Sequence, residues 1–155
     1  MKKQHLLITA VLLLMAALVA FFYLKDRRQA PEGKLTVLSE ERESQIDPFA
    51  LPLSEVKGTT VNGKGEEKEV SEEGVALADV LSLAGFGTGD YSAVRVVSSD
   101  EYAAEISAEE VDPGRIAFMI RDRSDDGRET IRLIVFGDPN SKRQVKDVVR
   151  IEVIK

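Results

Sequence analysis

A run of twenty residues without a formal charge, HLLITAVLLLMAALVAFFYL, extends from His5 to Leu24. As a helix with a rise of about 1.5 Å per residue, it is about 30 Å long, which matches the hydrocarbon layer of a membrane. A basic tail, residues 1–4, precedes the run, and aromatic residues 21–23 lie near its other end, as is typical where a membrane meets water. The sequence therefore predicts one transmembrane helix over residues 5–24.

A cleaved signal peptide is the alternative for this run, because its signature is also a basic start followed by apolar residues. Leu18 stands where a cleavage site needs a small residue, and the run is longer than the apolar part of most signal peptides. We therefore predict an uncleaved signal anchor. The positive charge after the run, on Lys25, Arg27 and Arg28, nearly equals that of the basic tail before it, so charge alone does not set the orientation. A very short basic tail usually stays in the cytoplasm, however. We expect a single-pass protein of the cell membrane with an extracytoplasmic domain.

The chain contains no cysteine, which excludes disulfides, thiolate metal sites and cysteine nucleophiles. His5 is the only histidine and lies in the apolar run, so a Ser-His-Asp triad and a histidine-ligated zinc site are excluded from the rest of the chain. Carboxylates, lysines and tyrosines remain for acid–base chemistry. The sequence therefore predicts a protein that is not an enzyme.

From Gln29 to Lys155, 16 Lys and Arg residues stand against 26 Asp and Glu residues, a formal net charge of −10. A surface of this charge repels the phosphates of nucleic acids and anionic lipid head groups. The sequence therefore predicts no nucleic-acid partner. The partners that remain are the membrane, through residues 5–24, and a membrane or extracytoplasmic protein.

Residues 25–52 mix charged residues with three prolines and show no sustained period. This pattern predicts a linker that contains one short strand at residues 35–38. The folded domain is expected to begin near Leu53 and to comprise residues 53–155, which suffices for one domain with its own core.

Apolar stretches in residues 53–155 predict strands that pair through turns. They are LSEVKGTTV and EEKEVS around Asn62-Gly63, AVRVVSS and YAAEI around Asp100-Glu101, RIAFMIR and TIRLIVF around Asp126-Gly127, and a last strand, VVRIEVI.

Two short helices are predicted between the strands. GVALADVLSLAG has the spacing of one apolar helix face and ends at Gly85, while Ser107-Ala-Glu-Glu110 is a capping box for a brief helical turn. The apolar face of the first helix is expected to consist of Val75, Leu77, Val80, Leu81 and Leu83. This order of elements predicts an α+β fold with a mixed or antiparallel sheet.

Four segments in this order resemble the molybdopterin-binding domain of the sulfite oxidase family: GVALADVLSLAG, VRVVSSDEYAAEISAEEV, RIAFMI with the turn DDG, and IRLIVFGDPNSKRQVKDVVRIEVI. The family's corresponding patterns are a G-V-x-L-x-D-L-L helix, an S-x-D-G-Y hairpin and a closing R-L-V-V-P-G … V-K-W-V-x-R-I-E-V. The resemblance implies the α+β fold of that domain.

The resemblance also implies a phosphate site. In that family, basic and polar residues just before the V-K-W motif hold the phosphate of the pterin cofactor, and Arg143, Gln144 and Lys146 match those positions. An Arg supplies a forked donor and a Lys a point charge, both suited to phosphate oxygens. The alternative is that the basic loop pairs with carboxylates of its own, such as Asp138 and Asp147.

The chain departs from the family at the metal. The family holds molybdenum through a cysteine thiolate, and this chain has none. The family's N-terminal half is also missing, Asp147 stands where Trp is usual, and Phe136 where Pro is usual. We therefore expect no cofactor, with molybdopterin implied by the resemblance only, and no metal.

Three other motifs favour turns over sites. Asp122 to Gly127 begins like a calcium loop, but its twelfth position is Leu133 rather than Glu, so we predict a hairpin turn. The stretch 85–89 follows a helix instead of opening one, which argues against a phosphate-binding loop. The family places Ser98, Ser99, Asp100 and Tyr102 near its ligand, but a surface turn is the interpretation that we favour.

Three functional hypotheses remain. The first is a membrane-anchored, extracytoplasmic, non-catalytic binding or interaction module related to the sulfite oxidase molybdopterin domain. The second is an accessory component of a redox system that binds a pterin or another phosphate-bearing ligand at the Arg143/Lys146 loop. The third is a structural domain in a membrane assembly.

Overall fold

The computed structural model describes residues 12–19, 33–139 and 141–155. Residues 12–19 form a helix, α1, with exposed side chains. Among the described residues, no helix is both long and apolar enough to cross a membrane. The tail 1–4 and residues 5–11 and 20–24 of the expected membrane helix lie outside the described residues, as do residues 25–32 of the expected linker.

The other elements form a domain of nine strands and short helices. They are β1 (Leu35–Leu38), β2 (Glu43–Ile46), a 3-10 helix (Pro48–Ala50), β3 (Ser54–Val61), β4 (Glu67–Ala76), α2 (Leu77–Leu83), β5 (Ala93–Ser98), β6 (Ala103–Ser107), α3 (Ala108–Val111), β7 (Ala117–Arg123), β8 (Glu129–Val135) and β9 (Val148–Ile154). The predicted α+β class with short helices is confirmed, but the strands form two sheets, one mixed and one antiparallel, where the sequence predicts a single mixed or antiparallel sheet.

The strands form two sheets. A five-stranded sheet has the order β2-β1-β9-β5-β6, in which only the β1–β9 pair is parallel. A four-stranded sheet has the order β3-β4-β7-β8 and is antiparallel throughout. The main core combines side chains of both sheets with the buried face of α2, for example Val96, Leu81 and Leu133. Burial of this apolar surface is the main driving force for the packing of the two sheets.

The folded part begins at Leu35, earlier than the boundary near Leu53 that the sequence predicts. The short strand expected at residues 35–38 is confirmed as β1, but it lies inside the five-stranded sheet, between β2 and β9. Leu35, Thr36 and Val37 are all buried, so both faces of β1 are covered. Four residues are too few to show the period of a strand, and the parallel pairing with β9 depends on residues at the other end of the chain.

The predicted hairpins are confirmed. Asn62 stabilises the β3–β4 turn, because its Oδ1 accepts hydrogen bonds from the backbone amides of Lys64 at 2.9 Å and Glu66 at 3.0 Å. In the β7–β8 turn, Gly127 has a φ of 86°, which an ordinary L-residue rarely adopts. This segment is the exposed turn that the sequence predicts.

The first predicted helix is shorter than expected. It begins at Leu77, whereas Val75 belongs to β4 and pairs with Met119 in β7. Leu83 was expected on the apolar face but is 44% exposed. The helix ends at Leu83, and Gly85, with a φ of 86°, follows its C-cap as the left-handed residue that the sequence predicts there. The capping box between Ser107 and Glu110 is confirmed as well.

The four-stranded sheet curls around a concave face of its own. Directly paired residues of antiparallel strands share a face, and the register places Thr60 with Lys68, and Ile120 with Arg132, on the face opposite the main core. Gly58 of β3 lies against the ring of Phe136, close enough that a Cβ atom would stand 2.6 Å from it. Phe136 follows β8, the opposite edge of the sheet, so the two edge strands approach each other. We call this surface the concave face.

Candidate functional site

Arg143, predicted to bind phosphate, forms a double ion pair within the protein. Its Nε donates to both carboxylate oxygens of Asp138 at 2.8 and 3.0 Å, and its Nη1 donates to those of Glu110 at 2.7 and 2.8 Å. Nη2 also donates to Asp138, whose side chain is only 2% exposed. These hydrogen bonds raise the pKa of Arg143, with Asp138 as the main cause, and the bond from Arg143 is the main cause that lowers the pKa of Glu110. Of the two predictions for the basic loop, phosphate binding and pairing with its own carboxylates, the second is therefore correct for Arg143, which pairs with Asp138.

Gln144, the second predicted residue, uses its amide to extend the edge of β8. Its Nε2 donates to the carbonyl oxygen of Val135 at 2.6 Å, and its Oε1 accepts from the amide of Val135 at 3.2 Å. The next residue, Val145, pairs with Leu133 through backbone bonds of 2.8 and 3.2 Å. Residues 144–145 thus fasten the loop between β8 and β9 to the four-stranded sheet.

Lys146 is the predicted residue that lies in a cleft. The cleft has a volume of about 490 Å³ and opens between the concave face, the β5–β6 turn and the loop that leads to β9. Such a volume falls in the range of small-molecule sites. Lys146 is exposed there and has no ion-pair partner among the residues that the structure describes.

Two further basic residues, Lys68 of β4 and Arg132 of β8, line the same cleft. Lys68 is exposed and, within ranges 33–139 and 141–155, lacks an ion-pair partner. Arg132 is half-buried, and its Nε is a buried donor without a hydrogen-bond partner. Its Nη1 stands 4.0 Å from Asp122, a distant ion pair. A buried donor without a partner costs free energy, whereas the exposed part of the Arg132 side chain, 28%, is what a ligand in the cleft can contact.

The β5–β6 turn also lines the cleft, through Ser98, Asp100 and Tyr102. Asp100 Oδ1 accepts hydrogen bonds from the hydroxyl of Ser98 and from the amide of Tyr102, the latter at 3.0 Å. Both bonds lower the pKa of Asp100, and the bond from Ser98 is the larger cause. Asp100 therefore stays ionised. The surface turn that the sequence predicts is present, but these three residues also face the cleft, where the family resemblance would place them.

Two contacts fix this turn against the loop before β9. The hydroxyl of Tyr102 donates to the carbonyl oxygen of Lys142. The hydroxyl of Ser99 donates to the carboxylate of Asp147, and the amide of Ser99 donates to the carbonyl oxygen of Asp147 at 3.0 Å. Asp147 thus accepts hydrogen bonds from Ser99, and its predicted pairing with the basic loop is not what the structure shows. The wall of the cleft is consequently held in place without a ligand.

Sequence reasoning missed Lys68 and Arg132. They are 64 positions apart along the chain and meet only because the strand register places both on the concave face. One signal was available: Arg132 interrupts the apolar strand TIRLIVF, and a charged residue at such a position needs a partner or a functional reason.

The charged residues that line the cleft, in the part of the chain that the structure describes, are Lys68, Arg132, Lys146 and Asp100. The excess of positive charge stands out on a domain with a formal charge of −10 from residue 29 onwards. Three cationic side chains with free donors suit an anion such as a phosphate or carboxylate group. The arrangement can therefore bind and orient an anionic ligand.

The residues present do not fit a molybdenum cofactor. The chain offers no thiolate for the metal, and Arg143, which the resemblance assigns to the pterin phosphate, donates to Asp138 and Glu110 instead. Within the described ranges, no three His, Asp or Glu side chains gather as potential metal ligands.

Comparison with models of protein families gives no match for this chain, and comparison with curated proteins gives none either. The relationship to the sulfite oxidase family stays a prediction that rests on the four sequence segments.

Proposed function

We propose that the protein is a membrane-anchored, non-catalytic binding module that displays its two-sheet domain outside the cytoplasm and binds a small anion in the cleft. The observation that carries this proposal is the convergence of Lys68, Arg132 and Lys146 on one cleft of an otherwise acidic domain. Most of the surface repels anions, so the cleft is a local exception.

The state of the three cations supports binding. Two half-buried arginines of the domain are neutralised by neighbours: Arg143 by Asp138 and Glu110, and Arg150 by Glu101 and Glu152. Lys68 and Lys146 have no such neighbours within the described ranges, and Arg132 has only a distant ion pair with Asp122, at 4.0 Å. An anion in the cleft would accept hydrogen bonds from the two lysines and be attracted by the charge of Arg132.

The hydroxyl groups of the cleft support binding rather than catalysis. The hydroxyl of Ser98 donates to Asp100, and that of Tyr102 donates to the carbonyl oxygen of Lys142. Among the described residues, the only base bonded to either hydroxyl is Asp100, and its lowered pKa makes it a weak base for activating a nucleophile; the domain contains no histidine.

The anchor is supported by the uncharged run 5–24 and by α1. The large apolar side chains of α1 are between 47% and 67% exposed, and a hydrocarbon environment would cover them. The short basic tail supports an extracytoplasmic orientation for the domain.

Titration of the full chain in detergent micelles with inorganic phosphate tests the binding function. The double variant Lys68→Ala/Lys146→Ala should weaken binding by about tenfold or more, because each charge-assisted bond contributes about 1.5–3 kcal/mol. The matched control, Lys34→Ala/Lys57→Ala, removes the same two charges from exposed sites outside the cleft and should leave the affinity within about twofold. Equal losses in both double variants, or no binding by the wild type, would refute the proposal.

A further inference from the structure

One carboxylate faces the three cations of the cleft. Asp100 lies in the β5–β6 turn, and its Oδ1 is occupied by the hydroxyl of Ser98 and the amide of Tyr102. Its Oδ2 has no hydrogen-bond partner among the described residues. An ionised carboxylate only accepts hydrogen bonds, so this oxygen is available to a ligand that carries a donor.

A simple anion without hydroxyl groups would bind weakly in this cleft. It gains from Lys68, Arg132 and Lys146 but is repelled by Asp100, which lines the same cleft, and it leaves most of the volume of about 490 Å³ empty. A ligand that carries both an anionic group and hydroxyl groups can bind the cations and also donate a hydrogen bond to Asp100. The cleft therefore favours a ligand with two kinds of polar group over a simple ion.

Tyr102 adds an apolar surface to the cleft. Its side chain is 46% exposed and lines the cleft. Its hydroxyl is bonded to the carbonyl oxygen of Lys142, which holds the ring in position and leaves its face for packing. An aromatic ring offers a large, flat contact area to the carbon atoms of a ligand.

We propose that the ligand of the cleft is a phosphate ester of a polyol, such as a sugar phosphate, with its phosphate group at Lys68, Arg132 and Lys146 and a hydroxyl group donating to Asp100. The carbon skeleton packs against the ring of Tyr102. This inference rests on the anion-binding function proposed above and adds the selection of the ligand. Asp100 is the residue that confers the selection, because its carboxylate can accept a hydrogen bond from a hydroxyl group and repels a second anionic group on the ligand.

The test compares glucose 6-phosphate with methyl phosphate in calorimetric titrations of the full chain in detergent. Both esters carry the same phosphate group, and only the first carries hydroxyl groups. Glucose 6-phosphate should bind about tenfold more tightly, and unphosphorylated glucose should bind at least a hundredfold more weakly than its phosphate ester.

Asp100→Asn is the decisive variant. The amide oxygen of Asn can still accept from Ser98 and Tyr102, so the turn is preserved, and a thermal melt verifies that the fold is intact. The preference for glucose 6-phosphate should fall from about tenfold to about threefold or less, while methyl phosphate should bind equally or more tightly because a repelling charge is gone. Ser44→Ala, at the remote strand β2, serves as the control and should change neither affinity.

The outcomes separate this inference from the function on which it rests. Equal affinities for the two esters, or a preference that Asp100→Asn leaves unchanged, would overturn the polyol phosphate and leave anion binding intact. Binding of neither ester would overturn both. Glycerophosphoglycerol, a soluble lipid head group with hydroxyl and phosphate groups, distinguishes the source of the ligand. If it binds more tightly than glucose 6-phosphate, the ligand is a phosphodiester carried by a lipid. If it binds more weakly, the ligand is a soluble phosphate monoester.

Discussion

Arg143 and Glu110, 33 positions apart in the chain, are joined by two hydrogen bonds of 2.7 and 2.8 Å from Nη1 to the two carboxylate oxygens. On its other side the same guanidinium bonds Asp138. Arg143 therefore connects α3 to the loop that follows β8, and that loop forms part of the cleft. Arg143 is therefore placed to stabilise the loop that forms the cleft rather than to bind the ligand.

Arg143→Ala should lower the free energy of unfolding by about 2–3 kcal/mol, because it leaves the buried carboxylate of Asp138 without its cationic partner. Phosphate affinity should stay within about threefold of the wild type. Urea unfolding and calorimetric titration measure the two effects. Arg123→Ala, which removes an exposed guanidinium, should cost less than about 0.5 kcal/mol. Loss of binding without loss of stability would instead make Arg143 a ligand-binding residue.

The Glu110 contact should appear in the pH dependence of stability. The hydrogen bond from Arg143 is the main cause that lowers the pKa of Glu110 in the folded protein below the ordinary value of 4.5. A lowered pKa stabilises the fold fully above pH 4.5, and the contribution disappears as the pH falls through the lower folded value. Glu110→Gln should therefore be less stable than wild type at pH 7, by about 1 kcal/mol, and the difference should shrink below pH 4.5.

Urea unfolding between pH 7 and pH 3 measures this difference. Glu109→Gln, at the exposed neighbouring position, is the matched control and should not reproduce the pH-dependent difference. A difference between wild type and Glu110→Gln that stays constant down to pH 3 would contradict the assignment.

Gly58→Ala should destabilise the curled sheet by about 1–3 kcal/mol, because the new Cβ would lie 2.6 Å from the ring of Phe136 and the two edge strands would have to separate. Gly63→Ala, in the adjacent turn, is the control, since its nearest neighbour would be the hydroxyl of Ser141 at 4.0 Å. Thermal melts of both variants measure the contrast. Similar melting temperatures would show that the edges of the sheet are not in close contact.

The membrane orientation can be measured by labelling, because the chain has no cysteine of its own. Ser71→Cys, at an exposed position of β4, should react with an impermeant maleimide in intact cells if the domain is outside the cytoplasm. Gln4→Cys, in the basic tail, should react only after lysis. The reverse pattern would place the domain inside the cell.

The strands and turns were largely predictable, because hairpin partners are neighbours in the sequence and Asn62 and Gly127 carry local turn chemistry. The position of β1 was not predictable from local signals, since its partner β9 lies at the other end of the chain. Val75 was assigned to the helix because apolar spacing alone does not distinguish the end of a strand from the first turn of a helix.

The candidate site was predictable only in part. Lys146 was found through the resemblance and lies in the cleft, whereas Arg143 was found by the same reasoning and is engaged by carboxylates. A charge pattern along the chain does not reveal which residues neutralise one another, because Glu110 reaches Arg143 only in the folded state. Lys68 and Arg132 required the register and curl of the sheet.

The position of β9 in the middle of the five-stranded sheet determines when the domain can fold. β1 and β5 both pair with β9, so the sheet cannot close until residues 148–154 have left the ribosome. Contacts of such long sequence separation form slowly. For a domain that we propose is exported, this delay is useful, because the five-stranded sheet stays incomplete, and the domain easier to pass through a narrow translocation channel, until β9 completes it on the far side.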